Sequence, residues 1–97
     1  MQKNNVIIGP KNTLKICRHM LFDIFASLDN KLIQYYNSES ISIIDGTTWY
    51  FYRNNVSYIK FCGLSIDTLY VIGKLTKELE QYLVPVCRRI IYVNSDK

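Results

Sequence analysis

The chain has 97 residues, 48% hydrophobic and 21% charged, which supports one compact domain over residues 1–97 and excludes a multi-domain enzyme. No apolar run approaches the roughly 20 residues of a membrane span, and Met1 to Pro10 lacks the apolar stretch of a secretory signal, so an intracellular, cytoplasmic protein without membrane contact is expected. The net charge is +4, and Lys3, Lys11, Lys15 and Arg18 precede residue 21 with no acid, whereas residues 21–97 hold 8 basic and 8 acidic side chains, so the excess sits at one end.

Val6 to Ile8 is a short apolar run closed by Gly9-Pro10 and reads as a brief strand ending in a turn. From Leu14 the apolar positions 14, 17, 21, 24, 25 and 28 follow helical spacing, which predicts a helix from about 13 to 29 with Lys15, Arg18, His19 and Asp23 elsewhere on the wheel. Asn12 or Thr13 is its candidate cap and Asp29-Asn30 its end. Lys31 to Tyr36 reads as a strand, Asn37 to Ser40 as a loop, and Ile41 to Ile44 and Thr47 to Tyr52 as two arms of a hairpin. Asp45-Gly46 between them suits a two-residue type I′ turn. After Arg53-Asn54-Asn55, Val56 to Phe61 is expected to return as another strand, completing an antiparallel meander.

Residues 65–84 admit two readings. Leu69, Ile72, Leu75, Leu79, Tyr82 and Leu83 repeat at helical spacing and Ser65 can cap, so a single helix is preferred. The alternative is a strand over 68–72 followed by a helix over 74–84, because Thr68, Val71 and Ile72 are β-prone and Gly73 disfavours a helix interior. Pro85 ends the helix in either case, Arg89 to Val93 is a last strand, and Asn94 to Lys97 should fray. The expected class is α+β, in the order strand, helix, antiparallel meander, helix, strand, with the helices on one face of a curved sheet. Along the strand at 47–52, Trp49 and Phe51 point one way and Tyr50 and Tyr52 the other. Trp49 is expected in a cluster with Leu21 and Phe25, which leaves a tyrosine-rich face exposed, with Tyr50, Tyr52 and Tyr58 as a candidate partner surface.

Chemistry is sparse. Cys17, Cys62 and Cys87 form no C-x-x-C pair, and an odd count among apolar neighbours reads as reduced core cysteines, neither a disulfide framework nor a metal site. Nucleophilic or acid–base catalysis needs a nucleophile, a base and an orienting partner; the chain offers one histidine, His19, between basic residues. No enzymatic activity, cofactor or metal is expected. Isoleucine, asparagine, lysine and tyrosine, all with AT-rich codons, make up 37 residues, a bias expected of an AT-rich genome such as that of a virus, phage or microbe.

Gly9-Pro10-Lys11-Asn12-Thr13-Leu14-Lys15-Ile16 follows a strand and opens a helix, the setting of the phosphate-binding G-x-x-x-x-G-K-[ST] loop. Gly9 and Lys15 fall in register with that motif, but Leu14 replaces the second glycine and Ile16 the magnesium-binding hydroxyl. The stretch resembles the loop of viral superfamily 3 helicases, a resemblance extended by Lys31 to Ser40 and by Ile90 to Ser95, where Asn94 would match a sensor asparagine. It implies a degenerate, non-hydrolysing nucleotide-binding relative. The order helix, meander, helix over residues 13–84, with Gly63-Leu64-Ser65 entering the last helix, is similar instead to the double-stranded RNA-binding domain. That family's lysine cluster is replaced here by Ile66, Asp67 and Thr68.

The basic end carries the remaining argument. Cations in the first turns of a helix oppose the macrodipole unless an anion is present, so Lys11, Lys15, Arg18 and His19 are candidate contacts to nucleic acid or an acidic protein surface. The expected function is a non-catalytic binding or accessory module acting on nucleic acid or on a machine that handles it. A protein–protein module, such as a viral inhibitor or virion component, is the alternative, and a second copy of the chain remains among the open partners.

Overall fold

Val6, Ile7 and Ile8 are all buried, and consecutive buried residues on a strand require cover on both faces of the sheet that holds it. In the computed structural model, which describes residues 3–29 and 31–93, these residues form the middle of β1 (Lys3–Gly9). The chain continues through α1 (Lys11–Leu28), β2 (Ile33–Tyr36), β3 (Ser40–Ile43), β4 (Thr47–Arg53), a 3-10 turn (Tyr58–Phe61), β5 (Thr68–Ile72), α2 (Lys77–Leu83) and β6 (Arg89–Val93). The fold is α+β: two helices on a mixed six-stranded sheet of order β2-β3-β4-β1-β5-β6. β2, β3 and β4 form the antiparallel meander, while β4, β1, β5 and β6 run parallel. Asn30 and residues 94–97, and with them the expected second stop residue, the sensor position at Asn94 and the expected fraying, lie outside the described residues.

The helices were expected on one face; they cover opposite faces. Ile7, Phe51, Ile41, Ile43 and Ile72 pack with Leu14 of α1, while Val6, Ile8, Tyr52, Leu69 and Val71 pack with Phe61, Ile66 and Leu79 and Leu83 of α2. The cause is the two-sided apolar character of β1 and β5, which leaves neither face fit for water. The sheet face of Tyr50, Tyr52 and Tyr58, expected to be exposed, is therefore covered. Tyr52 is 9% exposed and meets Phe61 edge to face at 5.2 Å, and half-buried Tyr50 stacks on Tyr52 at 6.1 Å. Tyr58, also half-buried, lies 5.3 Å from Tyr82. On the other face Trp49 joins the cluster that includes Leu21 and Phe25, as expected, but only partly buried, stacked 5.9 Å from Tyr70.

Between 65 and 84 the chain forms β5 and then α2, the alternative reading, and Gly63 to Ser65 leads to a strand rather than into a helix. Gly73 adopts φ 90°, which ends β5, and Thr76 starts α2 by accepting a hydrogen bond on Oγ1 from the Leu79 N–H at 3.2 Å, with Glu78 and Glu80 at the positive end of the dipole. Val56 to Phe61 is not a strand: Ser57 caps a 3-10 turn that drives Phe61 into the core. The hairpin is looser than a type I′ turn. Ser42 faces Thr48, the Gly46 N–H reaches the Ile43 carbonyl at 3.0 Å, and Gly46 at φ 98° supplies the left-handed residue of a three-residue loop. The Asp45 carboxylate accepts from the Thr47 N–H at 2.9 Å, and that bond holds its pKa below the usual value.

Burial raises the Cys87 thiol to about 11, so thiolate is scarce there near neutrality, whereas Cys62 is exposed. At pH 8 iodoacetamide is expected to modify Cys62 well before Cys87, read by peptide mass spectrometry; equal rates would contradict the packing of Cys87. The folded-state pKa lies above the unfolded one, so the stability gained by keeping this thiol neutral is whole below about pH 9 and is lost as pH rises towards 11.

Candidate functional site

β1 and β4 are parallel neighbours, yet the chain leaves β1 for α1 on one face and β4 for the 3-10 turn on the other. A crevice opens where such connections diverge, outside the carboxyl ends of the strands. Here it is a cleft of about 920 Å³, open to solvent, with α1 on one side, residues 53–60 on the other and the turn at 37–39 closing one end. β2 runs in the same direction as β4, so Tyr36 also reaches this edge.

All four residues of the basic end line the cleft. Lys11, Lys15, Arg18 and His19 come from the first turns of α1, and the fold adds Arg53 from the end of β4 and Lys60 from the 3-10 turn. Five cations thus face one carboxylate, Glu39, whose Oε2 lies 4.0 Å from Lys60 Nζ. Among the described residues Lys11, Lys15 and Arg53 have no ion-pair partner. Arg53 and Lys60 gave no sequence signal, because they fall in the charge-balanced part of the chain and meet α1 only through the parallel pairing of β1 and β4.

The cleft is preorganised. Arg18 donates from Nε at 3.0 Å and Nη2 at 2.7 Å to the Asn37 carbonyl, which fixes the guanidinium plane. Asn37 holds its own turn by accepting on Oδ1 from the Glu39 and Ser40 N–H groups, both at 2.8 Å. At the strand ends Asn54 Nδ2 donates to the carbonyls of Ile72 and Lys74, tying the end of β4 to that of β5. Gly9 permits this closeness, since a Cβ there would meet Ile72 Cβ at 3.0 Å.

α1 begins at Lys11 directly after Pro10, earlier than expected, with no side-chain cap and no acid in its first turn; neither Asn12 nor Thr13 caps it. The first helical bond runs from Leu14 N–H to the Pro10 carbonyl, so the N–H groups of Lys11 to Thr13 lack helical acceptors. Pro10 alone joins β1 to α1, and Gly9 and Lys15 lie on a strand end and in the second turn of a helix rather than on a long loop. Tyr52 forms part of the floor, its phenol pKa pushed up by burial and by Glu39. Tyr50 and Tyr58 do not line the cleft. No group of three or more His, Cys, Asp or Glu side chains that could hold a metal occurs among the described residues, and no described helix is long and apolar enough to cross a membrane.

A second surface lies on the outer side of α1. Ile16, Met20, Ile24 and Leu28, four residues apart, are each half or more exposed, and Met20 and Ile24 border an apolar groove of about 310 Å³ floored by Ile7, Trp49 and Tyr70. No family model, curated protein or solved structure matches the chain.

Proposed function

We propose that the protein is a non-catalytic binding module that holds the phosphate backbone of nucleic acid in the cleft at the carboxyl edge of its sheet. The convergence of Lys11, Lys15, Arg18, Arg53 and Lys60 from three separate segments onto one cleft carries this reading. Cations placed together against a single carboxylate repel one another, and a polyanion removes that cost while releasing its own counterions. The uncapped start of α1 adds the partial positive charge of its free N–H groups to the same edge.

The test is fluorescence anisotropy with generic DNA and RNA over a range of salt. Replacing Lys11, Lys15 and Arg18 together by glutamine is expected to leave the fold intact, the relief of the helix dipole offsetting the lost Arg18 bonds to Asn37, and to make the slope of log affinity against log salt shallower by about one to three units. Absence of nucleic-acid binding by the parent at low salt, or an unchanged slope in the variant, would overturn the reading. The apolar stripe on α1 is the observation that favours the second reading, a protein partner docked on that helix, and this becomes the leading reading if the parent binds no nucleic acid.

A further inference from the structure

We infer that the cleft takes a single strand rather than a duplex, with Tyr36 as the platform on which a base stacks. This rests on the cleft being the phosphate-binding site and adds the class of nucleic acid. Tyr36 is 55% exposed although it lines the cleft beside Arg18, and its ring meets Phe22 of α1 edge to face, with centroids 4.9 Å apart and planes at 71°. That contact sets the orientation of the ring while leaving more than half of the residue open. Among the described residues Phe22 is the one aromatic ring paired with Tyr36, which shares the cleft lining with Lys15, Arg18 and His19.

The shape of the site selects the ligand. A duplex presents sugars and phosphates outward and keeps its base faces stacked inside, so an aromatic ring within a concave cleft gains nothing from it. A single strand exposes base faces a few ångströms from its phosphates, and grooves that pair cations with open aromatic rings suit that arrangement. The Arg18 guanidinium, fixed by its two bonds to Asn37, stands next to Tyr36 in chain-distant but spatially adjacent register, so a phosphate and its own base can be met together.

The experiment compares a labelled oligothymidylate with a mixed-sequence duplex of equal length at one salt concentration, using the parent, Tyr36→Ala and Tyr36→Phe. The parent should bind the single strand at least tenfold more tightly. Tyr36→Ala should weaken single-strand binding by about 5- to 100-fold, as loss of one stacked base does, without changing the salt slope, and Tyr36→Phe should bind as the parent does. Circular dichroism of Tyr36→Ala should match the parent, since the residue is exposed. Equal or tighter binding of the duplex, or an unaffected Tyr36→Ala, would overturn this inference while a steep salt slope left the phosphate-binding reading standing. No binding of either ligand would overturn both.

Discussion

Phe61→Ala is expected to remove half or more of the protein's stability. Phe61 is 1% exposed and sits at the end of the 3-10 turn, where it meets Tyr52 edge to face and packs with Val6, Ile8, Leu69 and Leu79. It is the largest fully buried side chain that the connection from β4 to β5 contributes, so its removal opens a cavity that a sheet on one side and α2 on the other cannot close. Deleting a buried phenyl ring costs about 3–5 kcal/mol, against a total of about 5–15 kcal/mol for a domain. A urea titration should show the midpoint falling by half or more with the slope unchanged, and Phe61→Leu should recover most of the loss. A wild-type midpoint for Phe61→Ala would mean that the 3-10 turn does not cover this face and that α2 alone does.

The 3-10 turn at 58–61 reads as a strand for a local reason, since Val56, Tyr58, Ile59 and Phe61 are β-prone, and β5 reads as part of a helix for a global one. Leu69 and Ile72 are three residues apart, which fits a helix face, but on β5 they point to opposite sides of the sheet, each into its own cluster. In a strand covered on both faces every position is apolar, so spacing loses its power to tell strand from helix. The signals that did separate them were small: β-branched residues at 68, 71 and 72, Gly73 at positive φ, and Thr76 before two glutamates. Signals confined to neighbouring residues were legible, including the helical stripe of α1, the position of the turn at Asp45-Gly46, the meander as far as β4 but not its expected last strand at 56–61, and the bounds of β6. Half of the cleft was legible too, because Lys11, Lys15 and Arg18 share one helix. The other half was not. Arg53 and Lys60 reach the cleft only because β4 lies parallel to β1, a pairing of Lys3 with Thr47 and Gly9 with Arg53 that is made across 44 residues and leaves no trace in local charge. That same pairing is what sets Tyr36 on β2, which runs the same way as β4, at the edge where α1 begins.

Lys15→Glu combined with Arg53→Glu is expected to lower affinity for nucleic acid by about 100-fold at 0.1 M salt, since each lost phosphate contact costs roughly eightfold through counterion release and each new carboxylate adds repulsion. Both side chains are exposed, neither has an ion-pair partner among the described residues, and the change should leave the thermal transition near that of the parent. The pair is informative because its members lie 38 residues apart in the chain and share only the cleft. If the two cations contact one continuous backbone, each single reversal should make the salt slope shallower by about one unit, and the double variant by about two. Control reversals at Lys74 and Lys77, cations that do not line the cleft, should change the affinity by less than threefold. A loss as large from those controls would show that binding follows net charge alone, with no site at the carboxyl edge of the sheet. A normal affinity for Arg53→Glu beside a weakened Lys15→Glu would instead confine the contact to α1 and remove the β4 side of the cleft from it.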